Sequence, residues 1–333
     1  MATSIGAAGD RIEVLSGILS GIESKSSDLL VPRLLTPTPI VAAEGKVKTL
    51  DGGHMDDGGS VDAFKNAPGS RIVQTTPLKF GSVQYACEYR RLFDLVPKEA
   101  QRADIELPMS EVELRSRVMM GRLLRNRDLA LVNALETTSW GIVNDLSAGG
   151  GANQWSADGS DPIDYLAGVV DDMPMGAGVA VFGSKSWREF KTHPKVLSAL
   201  SINRDSAILN SPEFMEVIGE RLGLSQLIVY RLQVVTNGKP LASVAVSDLV
   251  RRFSDKVWLG TLNRNPGTPQ TDARGRHEVV VEPTALGYFV EDELEYEEEK
   301  SINPMGRQMT VGMSYDIRPV TAALGCRLDN VVA

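Results

Sequence analysis

A chain of 333 residues lies near the length at which one hydrophobic core divides, so two lobes with extended segments are expected. Its 42% hydrophobic and 23% charged residues supply a full core and exclude wholesale disorder. A net charge of −8 argues against gripping nucleic acid as the main task, while leaving open a container that encloses it. Two cysteines, Cys87 and Cys326, cannot build a disulfide framework and read as small buried hydrophobes in a reducing compartment. The opening residues lack the basic and apolar parts of a secretion signal, and no apolar run reaches membrane-spanning length. The chain is therefore expected to be cytosolic when made.

Residues 1–45 have weak periodicity. Ile12, Leu15, Ile18, Leu19 and Ile22 share one face of a short helix over Asp10 to Ile22, weakened by Gly17 and Gly21. Pro32, Pro37 and Pro39 then hold Val31 to Ile40 extended. With Leu29, Leu30, Leu34, Leu35 and Ile40 in it, this segment reads as an arm laid across another surface. Lys46 to Leu50 and Arg71 to Gln74 flank a glycine-rich tip, Asp51 to Gly59, and are expected to pair as a protruding hairpin. A hairpin alone in water is marginal, so it needs a partner surface. His54 in the tip has Asp51, Asp56 and Asp57 nearby, but the acidic twelfth position of a calcium loop is missing.

Val83, Tyr85, Cys87 and Tyr89 at period two, then Leu92, Phe93, Leu95 and Val96, predict a strand over Ser82 to Val96 with one buried face. Met109 to Trp140 predicts a helix roughly 45 Å long, more than a compact domain needs. Ser110 and Glu113 have the spacing of a reciprocal cap. Leu114, Val118, Gly121, Leu124, Leu131 and Leu135 recur in steps of three, four and seven and are expected to face a core. Arg115, Arg117, Arg122, Arg125 and Arg127 charge the other faces. Ser147 to Asn153 is a loop, and without a following Gly-Lys-Ser/Thr it is no phosphate cradle.

Residues 160–265 alternate helix and strand signals, as in a compact α/β lobe. Asp161-Pro162 starts a helix with Ile163, Leu166, Val170 and Met173 on its apolar stripe. Val179 to Phe182 is a wholly apolar strand, and Gly183-Ser184 begins a helix carrying Trp187 and Phe190. Ser211-Pro212 starts another helix, with Met215, Ile218 and Leu222 inward, before strands at Leu227 to Tyr230 and Asp255 to Leu262. The remainder is β-rich, with strands at His277 to Val281, Tyr288 to Glu299 and Met309 to Met313. Seven of the nine residues from Glu291 to Glu299 are acidic, so the strand there is either a solvated edge or meets a neighbour's basic surface, the arginine-bearing helix being the obvious partner.

No catalytic set, cofactor or metal site is expected. His54, His193 and His277 stand in three different contexts without an adjacent nucleophile motif, and His193 before Pro194 reads as a helix-end hydrogen-bonding group.

Three groups of residues resemble the major capsid proteins of tailed bacteriophages, whose HK-ninety-seven-like α+β fold is shared with encapsulin shells. The first is Trp155-Ser156 through Ser160-Asp161-Pro162-Ile163-Asp164, continuing to Val179 to Trp187 and His193-Pro194. The second is Tyr296-Glu297-Glu298-Glu299-Lys300-Ser301 followed by Ala322-Ala323-Leu324-Gly325-Cys326-Arg327-Leu328. The third is Gln84-Tyr85-Ala86-Cys87-Glu88-Tyr89 ahead of Leu123-Leu124-Arg125-Asn126-Arg127-Asp128, where Asp128 stands in place of a longer acid. Together they span about residues 70–333.

The resemblance implies an N-terminal arm at 1–45, an extended hairpin loop at 46–80 and a peripheral domain at 81–159 with a spine helix over 110–140. It further implies an axial domain at 160–265 and a return to the peripheral domain over 266–333. The implied role is a virion structural protein, not an enzyme, that self-assembles into hexamers and pentamers of an icosahedral head enclosing double-stranded DNA. Portal, scaffold or decoration proteins would be its further partners, with no membrane involved and assembly in the host cytoplasm. Candidate intersubunit contacts are the basic Lys46, Lys48, Arg71, Arg115 and Arg122 and the acidic Glu293, Glu295, Glu297 and Glu298. Some family members cross-link lysine to asparagine between subunits; Lys46, Lys48 and Lys65 lie in or near the hairpin, but no motif marks an acceptor. The alternatives are an encapsulin-type protein-cargo compartment and, from another class, a soluble cytosolic α/β enzyme.

Overall fold

The computed structural model describes residues 29–50, 80–98, 111–148, 150–200, 212–232, 234–235, 249–263, 268–271, 277–281, 283–302 and 305–333. The helix expected over Asp10 to Ile22, the glycine-rich tip, Lys65, Arg71 to Gln74, Ser110 and Ser211 lie outside them. The described helices are α1 (Val31–Leu34), α2 (Glu111–Thr137), α3 (Pro162–Asp172), α4 (Ser184–Thr192), α5 (Pro194–Ala199) and α6 (Pro212–Arg221). The strands begin with β1 (Thr38–Pro39), β2 (Glu44–Leu50), β3 (Phe80–Ala86), β4 (Glu88–Pro97), β5 (Ile142–Asp145), β6 (Val179–Gly183) and β7 (Gln226–Tyr230). They continue with β8 (Val234–Val235), β9 (Leu249–Val250), β10 (Val257–Gly260), β11 (Thr268–Thr271), β12 (His277–Val281), β13 (Leu286–Ile302), β14 (Met305–Pro319) and β15 (Gly325–Asp329).

Strands β6 and β10 are buried along their whole length because both faces of their sheet are covered. The sheet runs β5-β15-β10-β6-β7. Ala180, Phe182, Val257, Leu259, Cys326 and Leu328 point to one core with α3, α4, α5 and α6. Val179, Val181, Ile228, Tyr230 and Trp258 point to the other, which holds α2 and α1. The expected lobe over 160–265 is therefore not closed on itself. It takes β5 from before that stretch and β15 from the C-terminal end, a long-range pairing that local periodicity does not register.

A second sheet, β1-β13-β14-β4, lies under the first half of α2. β13 and β14 form a hairpin of seventeen and fifteen residues, about 50 Å long, and α2, about 40 Å, runs along it. One helix thus spans both sheets, which explains its length without any partner.

Its buried stripe differs from the expected one. Leu124, Leu131 and Leu135 are buried as expected, but Leu114 is 55% and Val118 48% exposed, and Met119, Met120 and Leu123 are buried in their place. Steps of seven drift around a straight helix of 3.6 residues per turn, and the stripe drawn back from Leu124 slips off the core face within two turns. Arg127, expected on a charged face, is 4% exposed; its guanidinium lies over the Tyr288 ring and donates to the Tyr288 hydroxyl at 3.1 Å.

The strand expected over Ser82 to Val96 divides at Cys87. β3 belongs to a third sheet, β11-β12-β2-β3, and β4 to the second. In that third sheet β2 pairs with β3 and, in parallel, with β12 (Val47 opposite Val83 and Val279). Lys46 to Leu50, expected to pair with Arg71 to Gln74, is flanked instead by β3 and β12, and the resulting four-stranded sheet meets the requirement that two strands alone leave unmet. Ile40, Val47, Tyr85 and Phe289 form a small core at its base, with Tyr85 and Phe289 stacked at 5.3 Å. Asp316 accepts from Ala86 N at 2.9 Å and pairs with Arg318 at 2.5 Å, tying this sheet to β14.

The arm expected to lie on another surface lies, from Leu29 onward, on its own chain. Leu29, Leu30, Val31, Leu34 and Leu35 are all buried within the α2 core, and β1 pairs with Phe289 and Val290 of β13. Pro32, expected to keep the backbone extended, instead sits in the first turn of α1, where a missing N–H costs nothing.

Candidate assembly surfaces

Strand alternation sorts the acidic run on β13 onto two faces. Glu295, Glu297 and Glu299 stand opposite Gly312, Thr310 and Gln308, and these stand opposite Arg91, Phe93 and Leu95 of β4. That face points away from α2: Glu297 and Glu299 are exposed and Phe93 is 75% exposed. The opposite face carries Met309, Val311 and Met313 against α2, together with Glu298, which pairs with Arg307 at 2.7 Å. Of the expected acidic contacts, Glu297 is thus outward and Glu298 is held within the chain. Glu295 lies on the outward face and accepts from the Tyr89 hydroxyl at 2.8 Å, with the phenol pKa raised chiefly by that bond. Glu293 falls in the irregular stretch of β13 between Asp292 and Glu295.

The basic candidates divide similarly. Arg115 is engaged in its own chain with Glu111 and, at 3.1 Å, with Asp94; the Glu111 bond is the main reason its guanidinium is held still more firmly protonated. Arg122 is exposed and follows Leu114 and Val118 on the outer side of α2. Lys46 is exposed opposite Gln84 and Lys48 half-buried opposite Ser82, both on the third sheet, remote in the pairing order from β13. Arg71 lies outside the described residues.

The helix-start motif forms one hydrogen-bonded node. Asp161 caps α3, its carboxylate accepting from Asp164 N at 3.3 Å. His193 ends α4 and caps α5: Nδ1 accepts from Lys195 N at 3.3 Å, leaving Nε2–H to face Ser160 Oγ at 3.2 Å and Ala157 O at 3.3 Å. Trp155 beside it is buried against Phe182 and Phe190. The histidine is thus a helix-end group, as its place before Pro194 suggests.

Sequence reasoning missed the residues that hold the first sheet on the C-terminal end of α2. Lys256 reaches Glu136 at 3.6 Å and Asp329 at 3.7 Å, while Arg327 pairs with Asp329 at 3.0 Å and donates to the Glu136 carbonyl. Their signal is charge at positions flanking wholly apolar strands. Burial pushes both thiols up to about 12, with Asp316 and Glu291 adding to the effect at Cys87. Iodoacetamide at about pH 8 is therefore expected to leave Cys326 unmodified in the folded protein and to label it after urea unfolding; rapid native labelling would contradict its burial.

No protein-family model matches the sequence, and none of the curated proteins does. Solved structures do match. A phage-related protein of Bordetella bronchiseptica aligns over 96% of this chain and 97% of its own, with a TM-score of 0.64 at 17% identity. The capsid of cyanophage P-SCSP1u aligns over 90% and 88%, with a TM-score of 0.52 at 13% identity. The chain has the phage-capsid fold. An encapsulin of Synechococcus elongatus shares it, over 91% and 88%, with a TM-score of 0.51 at 11% identity.

Proposed function

We propose that this chain is a shell subunit that assembles into hexamers and pentamers of an icosahedral head enclosing double-stranded DNA. The observation that supports this reading most is the alignment of 90% of the chain to the capsid of cyanophage P-SCSP1u, together with the alignment of 96% of it to a phage-related protein. An outward apolar residue beside carboxylates, Phe93 with Glu297 and Glu299, is the kind of surface that a second copy would cover with its basic groups. Arg122 on the outer side of α2 is the best placed of them. Residues 160–265 with β15 would be the axial part and α2 with β13 and β14 the peripheral part. Repeated over several neighbours, such contacts would make a stable shell even if each is modest.

Reversing Glu297 and Glu299 to lysine is expected to leave the subunit folded, with an unchanged melting curve, and to cut particle yield about tenfold. Particles at normal yield would show that this strip is only solvated. Nuclease-treated particles from expressing cells are expected to protect DNA; a single co-purifying protein cargo instead would favour the encapsulin alternative.

A further inference from the structure

A cavity of about 310 Å³ opens between α4, the end of β7 and the turn after β9, lined by Ser184, Trp187, Arg188, Lys191, Arg231 and Arg251. Among the described lining residues four of six are cations, in a chain whose net charge is −8, and none is acidic. They come from three separate stretches of chain, so helix periodicity does not account for their meeting.

The turn is locked in place. Ser254 O accepts from Lys185 N at 2.9 Å and Ser186 N at 3.1 Å, and Phe253, buried, holds a positive φ of 57°. A Cβ on Gly183 would run into the carbonyl oxygens of Phe253 and Ser254, so only glycine lets this turn close over the start of α4. That contact sets Arg251 beside Ser184. Arg188 also leans on Glu189 at 3.4 Å, both at the rim, so it shares its charge with that neighbour.

We propose that this cavity is a binding site for a phosphate-bearing anion. Three guanidinium groups, an ammonium and a hydroxyl converge there. Planar guanidinium forks suit tetrahedral, multiply charged oxyanions, and the volume is at the lower end of ligand pockets, about 300–1,000 Å³. Trp187 is buried, stacked on Phe190 at 5.7 Å with Phe182 and Phe214 packed near-perpendicular to it, so it leaves little ring surface for a base. The phosphate could belong to a small phosphorylated molecule or to a nucleic-acid backbone. The site belongs to the single chain and does not depend on shell formation.

The test is calorimetric titration of the full chain with pyrophosphate, and separately with a short single-stranded oligonucleotide, for wild type and the double variant Arg231→Gln/Arg251→Gln. Both arginines are exposed, so the melting curve is expected to hold while pyrophosphate affinity falls about tenfold. Lys191→Gln is expected to lower it in the same direction and guards against misfolding of the double variant. The same loss with the oligonucleotide assigns the phosphate to a nucleic-acid backbone; loss with pyrophosphate alone assigns a small molecule. Binding that ignores all three substitutions overturns the proposal. So does a site that takes only a peptide of residues 291–299, which would make it a dock for a second copy's acidic strand.

Discussion

Leu124→Asp is expected to abolish folding, while Leu114→Asp, ten residues earlier on the stripe drawn from sequence, leaves the protein folded. Leu124 is 1% exposed in the core shared by α2, α1 and the two sheets, whereas Leu114 is 55% exposed. A carboxylate at 124 loses the apolar contacts and is buried without a partner, at a cost of about 5 kcal/mol or more. That is comparable to the whole stability of a typical domain, about 5–15 kcal/mol. Circular dichroism and soluble yield check it: 124 is expected in the insoluble fraction and 114 to melt as wild type does. The reverse pattern would mean that α2 is rotated from the orientation described here.

Asp128→Ala is expected to loosen α1 and the residues that lead into it. Asp128 is fully buried on α2, yet its two oxygens accept from Leu30 N at 2.6 Å and Val31 N at 3.0 Å. It caps the short α1 from a helix nearly a hundred residues away, where α1 has no side-chain cap of its own. Removing it orphans two buried donors and costs about 3 kcal/mol in urea unfolding. Asp128→Asn, which keeps one acceptor but turns an amide toward the other donor, is expected to fall between. Limited proteolysis is expected to cut near residues 29–35 in the alanine variant and not in wild type; equal resistance would remove Asp128 from the anchoring of α1.

The pH dependence has a defined sign. Burial raises the Asp128 pKa, outweighing the opposing effects of the Val31 and Leu30 N–H groups and of Arg127. A carboxyl group whose folded pKa lies above its unfolded value contributes stability that is complete below the unfolded pKa and is lost as pH rises through the folded one. The stability gap between wild type and Asp128→Ala is therefore expected to widen on acidification from neutrality.

Local chemistry was legible where local rules decide. The Asp161 cap with Pro162, the buried Val179 to Gly183 strand, the Trp187 and Phe190 helix and the His193 helix end all follow from near neighbours in sequence. Pairings across the chain were not. β2 meets β12 some 230 residues later, β15 enters the first sheet between β5 and β10, and periodicity carries no record of either. Asp128 looked like a shortened version of an expected acid; its role depends on where Leu30 and Val31 return. The acidic strand was visible as composition, but its division into Glu297, facing away from α2, and Glu298, on the other face and paired with Arg307, required the register with β14. Likewise Leu29 to Leu35 read as needing a foreign cover because the covering residues on α2 lie far away in sequence.

Electron microscopy of the purified chain, with sedimentation velocity on the same sample, tests the assembly account most directly. Rings, tubes or closed shells sedimenting far above a 36.0 kDa monomer are expected. A monodisperse monomer that persists at high concentration, with Phe93 still open to solvent, would contradict it.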